Sequence, residues 1–156
     1  MRILVEDPGT SDVVELLEQH LTDMYATSPP ESVHALDLTR LRVPSVTFWT
    51  ARSADDGTLL GCGALKEHVG DDGITGEIKS MRTAEPARGR GVAAAILKVI
   101  VEQARARGYD RVDLETGTQD FFAPARRLYV RHGFLPCGPF ADYVEDPNSA
   151  FFTLVL

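Results

Sequence analysis

Two glycines and two arginines make residues 88–91 the part of the sequence best suited to bind an anion. The segment reads Arg-Gly-Arg-Gly and precedes an alanine-rich stretch that is typical of a helix start. Gly89 and Gly91 can adopt backbone conformations that a side chain disfavours, so several N–H groups can face one point. The first N–H groups of a helix lack internal partners and lie at the positive end of its dipole. Together with Arg88 and Arg90, they predict a phosphate-binding loop.

The same letters also fit a dinucleotide-binding fingerprint. Residues 89–94 match Gly-x-Gly-x-x-Ala, and Asp110 or Asp113 lies at a suitable distance to bind a ribose. In that fingerprint the glycines follow their strand directly, whereas residues 84–88 intervene here. That fold also needs more parallel strands than the remaining chain can supply. The dinucleotide interpretation therefore stays an alternative, and the weaker one.

The elements around the loop predict a mixed α/β sheet. Residues 2–5 read as a strand, Asp12 as the cap of a helix with an apolar stripe through Tyr25, and residues 33–41 as a second, shorter helix. Three strands, at residues 46–51, 59–69 and 74–83, are separated by Asp/Gly turns and predict an antiparallel meander.

The rest of the chain alternates helices and strands. A helix runs from residue 92 to a Gly108 C-cap, and a strand at 111–116 should lie parallel to strand 74–83 because a helix connects them. A helix with Pro124 in its first turn and late strands at 135–140 and 151–156 follow. The predicted order is β-α-α-β-β-β-α-β-α-β-β.

Composition limits the class of protein. The 156 residues are 44% hydrophobic and carry a net charge of −7, which favours one domain, residues 1–156, and argues against a nucleic-acid partner. No apolar run reaches the ~20 residues of a membrane span, and residues 1–6 resemble a strand followed by acid more than a signal peptide. We therefore expect a cytoplasmic protein without a membrane partner. Cys62 and Cys137 lack metal-binding or redox spacing and should be buried free thiols.

The sequence resembles the GCN5-related N-acetyltransferase (GNAT) family over essentially its full length. Arg88-x-x-Gly91-x-Ala93, between a strand and a helix, is similar to the family's acetyl-CoA motif Arg/Gln-x-x-Gly-x-Gly/Ala, and the element order matches too. Residues 125–134 resemble the second motif, Asn-x-x-Ala-x-x-Leu-Tyr-x-x-x-Gly-Phe, but Phe122 occupies the position of the frequent asparagine. Segments 30–36 and 140–143 further resemble the YsnE-type bacterial branch.

The resemblance implies transfer of an acetyl group from the co-substrate acetyl-CoA to a primary amine by direct attack. It also implies that the backbone of residues 81–83 pairs with the pantetheine amides and that the loop at 88–93 holds the pyrophosphate. The implied cofactor-binding residues are Met81, Arg82, Thr83, Arg88, Gly89, Arg90, Gly91, Val92, Ala93 and Thr116. No metal is implied. A non-catalytic acyl-CoA-binding module is the alternative function.

Three groups of residues are implied in the chemistry. Tyr129, with an ordinary pKa of about 10, would protonate the departing thiolate, although a core tyrosine is the alternative. Glu77, at the start of the strand that leads to the cofactor, is the leading base, and Glu115 is the second candidate. The acceptor site would involve Tyr25, His34 and Tyr143, near the acidic residues Asp142 and Glu145. We expect a small-molecule amine rather than a protein as acceptor, and homodimers are compatible with the family.

Overall fold

The computed structural model describes residues 1–35 and 37–156, which form one seven-stranded sheet with helices on both faces. The strands are β1 (Arg2–Val5), β2 (Val46–Arg52), β3 (Leu59–Gly70), β4 (Gly73–Thr83), β5 (Arg111–Gly117), β6 (Leu135–Cys137) and β7 (Ser149–Val155). The helices are α1 (Ser11–Thr27), α2 (Leu38–Leu41), α3 (Val92–Ala106) and α4 (Ala123–Arg131). This order confirms the predicted one.

The sheet contains one parallel pair of neighbouring strands, β4 and β5. Its order is β1-β2-β3-β4-β5-β7-β6, and every neighbouring pair is antiparallel except β4 and β5. The predicted meander and the parallel pair are both confirmed. Pairing between β4 and β5 runs only from Thr75 with Arg111 to Ile78 with Leu114. Beyond Ile78 and Leu114 the two strands separate, so the sheet opens towards the carboxyl ends of both.

Each face of the sheet carries its own core. On one face α3 buries Ile96 and Ile100, both 0% exposed, against the sheet, as the helical spacing predicts. On the other face α1 buries Val13 and Leu16 against residues of β2 and β3. None of the helices described is both long and apolar enough to cross a membrane. Both cysteines are free thiols, of which Cys62 is buried as predicted and Cys137 is only half-buried.

A β-bulge interrupts β4 at the point where it leaves β5. Lys79 pairs with Ala64 on β3, and three positions later Arg82 pairs with Cys62, only two positions away. The extra residue is accommodated by Ser80, whose φ of 53° is unusual for a residue other than glycine. Side chains two apart on a strand share a face. The bulge therefore turns Lys79 and Arg82 towards the same face, the one covered by α1.

The prediction of a helix over residues 33–41 is wrong. Pro30–Ser32 forms a 3₁₀ turn, and α2 is a single turn that starts only after Asp37. The side chain of Asp37 accepts a hydrogen bond from Arg40 N at 2.8 Å, so it fixes the helix start late in the segment. Leu36, which belongs to the predicted helix and to the segment 30–36, lies outside the described residues.

Two other boundaries differ from the prediction. Helix α1 begins at Ser11, with Thr10 as its N-cap residue, so Asp12 lies in the first turn and forms an ion pair with Arg52 at 2.7 Å instead of capping. Strand β6 ends at Cys137 rather than at residue 140. Gly138 and Pro139 follow it, and proline has no N–H to donate to a neighbouring strand.

Candidate active site

A cavity of about 560 Å³ lies where β4 and β5 separate. Its walls come from the second half of β4, the end of β5, the loop before α3 and the first turn of that helix. Helix α4 closes one side, and α1 with the loop after it closes the other. The cavity thus joins the predicted phosphate loop to the predicted acceptor side.

The loop before α3 has the conformation that its glycines predict. Gly89 and Gly91 have φ angles of 73° and 77°, and a Cβ at either would meet nothing within 4 Å. The backbone conformation, rather than lack of space, therefore favours glycine there. Ala95 N donates the first helical hydrogen bond, to Gly91 O at 3.0 Å, so the N–H groups of residues 92–94 precede the helical ladder. Together they can hold a phosphate or diphosphate.

Most of the residues implied in cofactor binding line this cavity. They are Met81, Arg82, Thr83, Arg88, Gly89, Gly91, Val92, Ala93 and Thr116. Arg90 is the exception, since it is exposed and not part of the lining. Beyond Ile78, no strand in the described part of the chain pairs with the side of β4 that faces β5. The backbone of residues 81–83 can therefore pair with an amide-bearing ligand there.

Tyr129 projects from α4 into the wall of the cavity. Tyr129 is 5% exposed, and its ring packs edge-on against that of Phe134, with the ring centroids 5.7 Å apart. Burial raises the pKa of Tyr129, and the negative charge of Glu115 raises it further. The hydroxyl is therefore protonated at neutral pH and can donate a proton.

Glu115, on β5, lines the same cavity, and its carboxyl has a pKa close to neutral pH. Burial raises the pKa of Glu115 to about 7, and the negative charges of Glu77 and Asp146 add to this effect, although Ser149 and Lys79 oppose it. A carboxyl with a pKa near the working pH can both take up and release a proton.

Glu77 is placed differently from the prediction. Strand β4 begins at Gly73, so Glu77 lies in its middle; it is 3% exposed and is not among the residues that line the cavity. Its carboxylate contacts His68 Nε2 at 2.9 Å and Lys79 Nζ at 3.1 Å, and accepts a hydrogen bond from the Tyr143 hydroxyl at 2.6 Å. Burial alone would raise the pKa of Glu77, but these three partners outweigh it and lower the pKa to about 2. So weak a base is poorly suited to take a proton from an amine.

Lys79 connects this buried group to the acceptor side. Its ammonium donates to the Tyr143 hydroxyl at 2.7 Å and to the backbone oxygen of His34 at 2.8 Å. The rings of His34 and Tyr143 meet edge to face, with centroids 5.0 Å apart. Strand β4 is thereby joined to the segment after α1 and to the connection between β6 and β7.

The predicted acceptor residues have different positions. His34 lines the cavity, whereas Tyr143 contacts Lys79 from outside the lining. Tyr25 is 57% exposed and does not line the cavity. Asp142 and Glu145 are exposed residues outside the lining as well. The structure therefore brings together only part of the predicted set.

Sequence reasoning missed several residues of the cavity wall. His20 and Met24, one helical turn apart on α1, both line it. Burial, followed by the charge of Arg82, lowers the pKa of His20 to about 4. Phe122 also lines the cavity and packs over Gly117, where a Cβ would clash with its ring. An apolar ring thus stands where the family frequently has an amide.

Comparison with known proteins places this geometry in context. Residues 12–134 match the model of the acetyltransferase (GNAT) family. The chain is 52% identical over 153 residues to the uncharacterised N-acetyltransferase YsnE of Bacillus subtilis, and the match covers 98% of each chain. It is 49% identical over 154 residues to the uncharacterised N-acetyltransferase YedL of Escherichia coli, covering 99% of this chain and 94% of YedL.

Solved structures agree with the sequence relatives. A Klebsiella pneumoniae structure assigned to the acyl-CoA N-acyltransferases superposes with a TM-score of 0.81 at 27% identity, over 99% of this chain and 97% of the other. These similarities overturn the dinucleotide interpretation of residues 89–94, because the loop and its surroundings are those of an acyl-CoA-binding fold. The protein transfers an acetyl group from acetyl-CoA to an amine, and the chain belongs to the GNAT acetyltransferase family.

Proposed function

We propose that Glu115 and Tyr129 are the base and the acid of this acetyl transfer, and that the acceptor is a small primary amine. The observation that carries the proposal is that both side chains line one cavity with pKa values that suit opposite tasks. The carboxyl of Glu115, with a pKa of about 7, can accept a proton at neutral pH, while the Tyr129 hydroxyl retains one. This replaces Glu77, the base that the sequence favoured.

Cofactor binding uses the two open backbone regions of the cavity. The N–H groups at the start of α3, with Arg88 beside them, bind the pyrophosphate of acetyl-CoA. The open side of residues 81–83 pairs with the amides of the pantetheine arm, as a neighbouring strand would. The thioester then lies between β4 and β5, within the same cavity as Glu115 and Tyr129.

The reaction follows from these positions. Glu115, directly or through a water molecule, removes a proton from the acceptor ammonium, and the free amine attacks the thioester carbon. The new C–N bond forms as the C–S bond breaks, and Tyr129 donates its proton to the departing thiolate. The nitrogen, which still carries one proton more than the amide product, releases that proton to the solvent. The products are the acetylated amine and CoA with a free thiol. Proton exchange with solvent then restores the carboxylate of Glu115 and the hydroxyl of Tyr129.

The size of the cavity supports a small acceptor. About 560 Å³ must hold the reactive end of the cofactor together with the amine, and pockets of this size take one drug-sized ligand. We also propose that the chain forms one domain, since all strands belong to one sheet, and that it acts in the cytoplasm, as two free thiols suggest. A homodimer is part of the proposal on family grounds only.

Calorimetry with acetyl-CoA tests the cofactor site. Gly91→Asp adds a side chain and a negative charge to the phosphate loop, so we expect acetyl-CoA affinity to fall by more than 10-fold. Gly57→Asp is the matched control, because Gly57 has nearly the same φ, 75° against 77°, and equally open surroundings but lies outside the cavity. Equal affinity in the two variants would contradict the loop assignment.

Thiol release tests whether the acceptor is a small primary amine. The wild-type protein is incubated with acetyl-CoA and a panel of primary amines, and free CoA thiol is measured against a control without amine. Amine-dependent release supports the proposed reaction. If acetyl-CoA binds but no amine increases release, the proposed class of acceptor is contradicted.

A further inference from the structure

The guanidinium of Arg82 has hydrogen-bonding capacity that the described protein atoms do not use. Arg82 lines the cavity on the face of the sheet covered by α1, and its side chain is only 9% exposed. Asp23, on α1, pairs with its Nη1 at 2.6 Å. Its Nε is buried and has no acceptor within residues 1–35 and 37–156. A guanidinium offers five N–H donors in a planar fork, and leaving a buried one unpaired costs stability.

A second cation stands on the same wall. The bulge in β4 turns Lys79 towards the face that Arg82 occupies, and Lys79 also lines the cavity. The ionic partners of the two cations, Glu77 and Asp23, are both outside the lining. Both cations thus line the cavity, whereas neither of the carboxylates paired with them does.

Two histidines that line the cavity have lowered pKa values. The pKa of His20 is lowered by burial first and by Arg82 second, and Asp23 raises it by less than Arg82 lowers it. The pKa of His34 is likewise lowered by burial and then by Lys79, while the negative charges of Asp146 and Glu77 oppose this shift. Burial is the largest cause in both cases, and it keeps both histidines from adding positive charge at neutral pH.

Carboxylates are scarce on this wall. Among the described residues that line the cavity, Glu115 is the only acidic one, and its carboxyl is needed for proton transfer. Asp142 and Glu145, whose charges would suit a cationic acceptor, lie outside. An acceptor with a second positive group would find no partner here, whereas one with a carboxylate would find Arg82.

We propose that the acceptor is a small amine that also carries a carboxylate, and that the guanidinium of Arg82 binds this carboxylate. A planar carboxylate can accept two parallel hydrogen bonds from the edge of a guanidinium, and Asp23 holds that group in place. With the carboxylate fixed there, the amine of the acceptor is free to turn towards Glu115 and the thioester. This inference rests on the proposed function, because it concerns the acceptor of the same reaction.

A set of three matched amines tests the acceptor class. Leucine, leucinamide and isoamylamine share a side chain but carry a carboxylate, a neutral amide and no group, respectively. We expect kcat/KM for thiol release to be roughly 10- to 100-fold higher for leucine than for leucinamide. An equal or higher value for either neutral amine overturns the inference. Absence of release with every amine, by contrast, contradicts the proposed function itself.

Variants of Arg82 assign the preference to this residue. Arg82→Gln removes the charge and the fork, so we expect the ratio of kcat/KM for leucine over leucinamide to fall to about 1, through a rise in KM for leucine. Arg82→Lys keeps the charge without the fork and should give an intermediate ratio. Arg42→Gln is the matched control, since Arg42 also pairs with an aspartate, Asp7 at 2.6 Å, but lies outside the cavity.

The outcomes are distinct even if one variant is unstable. An unchanged ratio in Arg82→Gln or in Arg82→Lys overturns the assignment, and thermal unfolding with calorimetric binding of acetyl-CoA shows whether each variant is folded. If Arg82→Gln does not fold, Arg82→Lys decides alone, because it preserves the ion pair with Asp23. A ratio that falls equally in Arg42→Gln would also overturn the inference.

Discussion

Replacing Glu115 by glutamine tests the proposed base through stability as well as rate. The pKa of Glu115 is raised by burial from an ordinary 4.5 to about 7. Between these values the folded protein keeps a proton that the unfolded chain has already lost, so stability falls as the pH rises from about 4.5 through about 7. At 1.36 kcal/mol for each unit of pKa, the full loss is about 3 kcal/mol. Glutamine resembles the protonated carboxyl and does not suffer this loss.

The expected result is a pH-dependent gain in stability. Glu115→Gln should match the wild type near pH 4.5 and be more stable at pH 8 by up to about 3 kcal/mol, which is ~6–12 °C in melting temperature for a domain of this size. Thermal unfolding between pH 4.5 and pH 8 measures the difference. Glu102→Gln is the matched control, because it removes one negative charge from an exposed position on α3. A gain that does not depend on pH, or that also occurs in Glu102→Gln, would refute the burial argument.

The same variant should be more stable at high pH but less active. In the wild type kcat/KM should decrease below about pH 7, where the carboxyl of Glu115 becomes protonated. In Glu115→Gln this acidic limb should disappear, and kcat/KM at pH 8 should fall on the order of 100-fold. If the variant retained the acidic limb, Glu115 would not be the base, and Glu77 would have to be reconsidered.

Two further variants test the surroundings of the site. Tyr129→Phe removes the proposed proton donor and should lower kcat on the order of 100-fold, with acetyl-CoA affinity by calorimetry unchanged; wild-type turnover would make Tyr129 a core residue only. Tyr143→Phe deprives Glu77 and Lys79 of a shared hydroxyl partner and should lower the free energy of unfolding by about 1–3 kcal/mol. Tyr25→Phe, at a residue 57% exposed, should change stability by less than about 0.5 kcal/mol, and an equal loss in both variants would argue against the buried network.

Local sequence signals were sufficient for most of the fold. The turn residues between β2, β3 and β4, the apolar spacing of α3 and the strand that follows it all act over short distances. Gly89 and Gly91 predicted the phosphate loop because positive φ angles favour glycine. The late start of α2 was missed because the Asp37 cap competes with an apolar pattern that continues through the segment.

The arrangement of the acceptor side could not be predicted from the sequence, because it depends on contacts between distant parts of the chain. His68, Glu77, Lys79 and Tyr143 come from three separate parts of the chain, and the burial of Glu77 follows from their convergence. The bulge at Ser80 could not be predicted either, since nothing in the residue type indicates a φ of 53°. Without the bulge, the strand alternation would place Lys79 and Arg82 on opposite faces. The charge of the cavity wall therefore could not be deduced from spacing alone.

The early end of pairing between β4 and β5 leaves part of the sheet without backbone hydrogen bonds between these two strands. On the side of β4 that faces β5, the backbone beyond Ile78 has no partner strand within residues 1–35 and 37–156, so its donors and acceptors on that side are open to solvent or a ligand. An extended, amide-bearing ligand in the gap would act as a further strand between two halves whose own backbone pairing is limited to residues 75–78 and 111–114. Ligand binding would then contribute to the cooperativity of folding, because it links the meander β1–β4 to the group β5–β7. The resistance of the two halves to separate unfolding would therefore increase with the supply of acetyl-CoA.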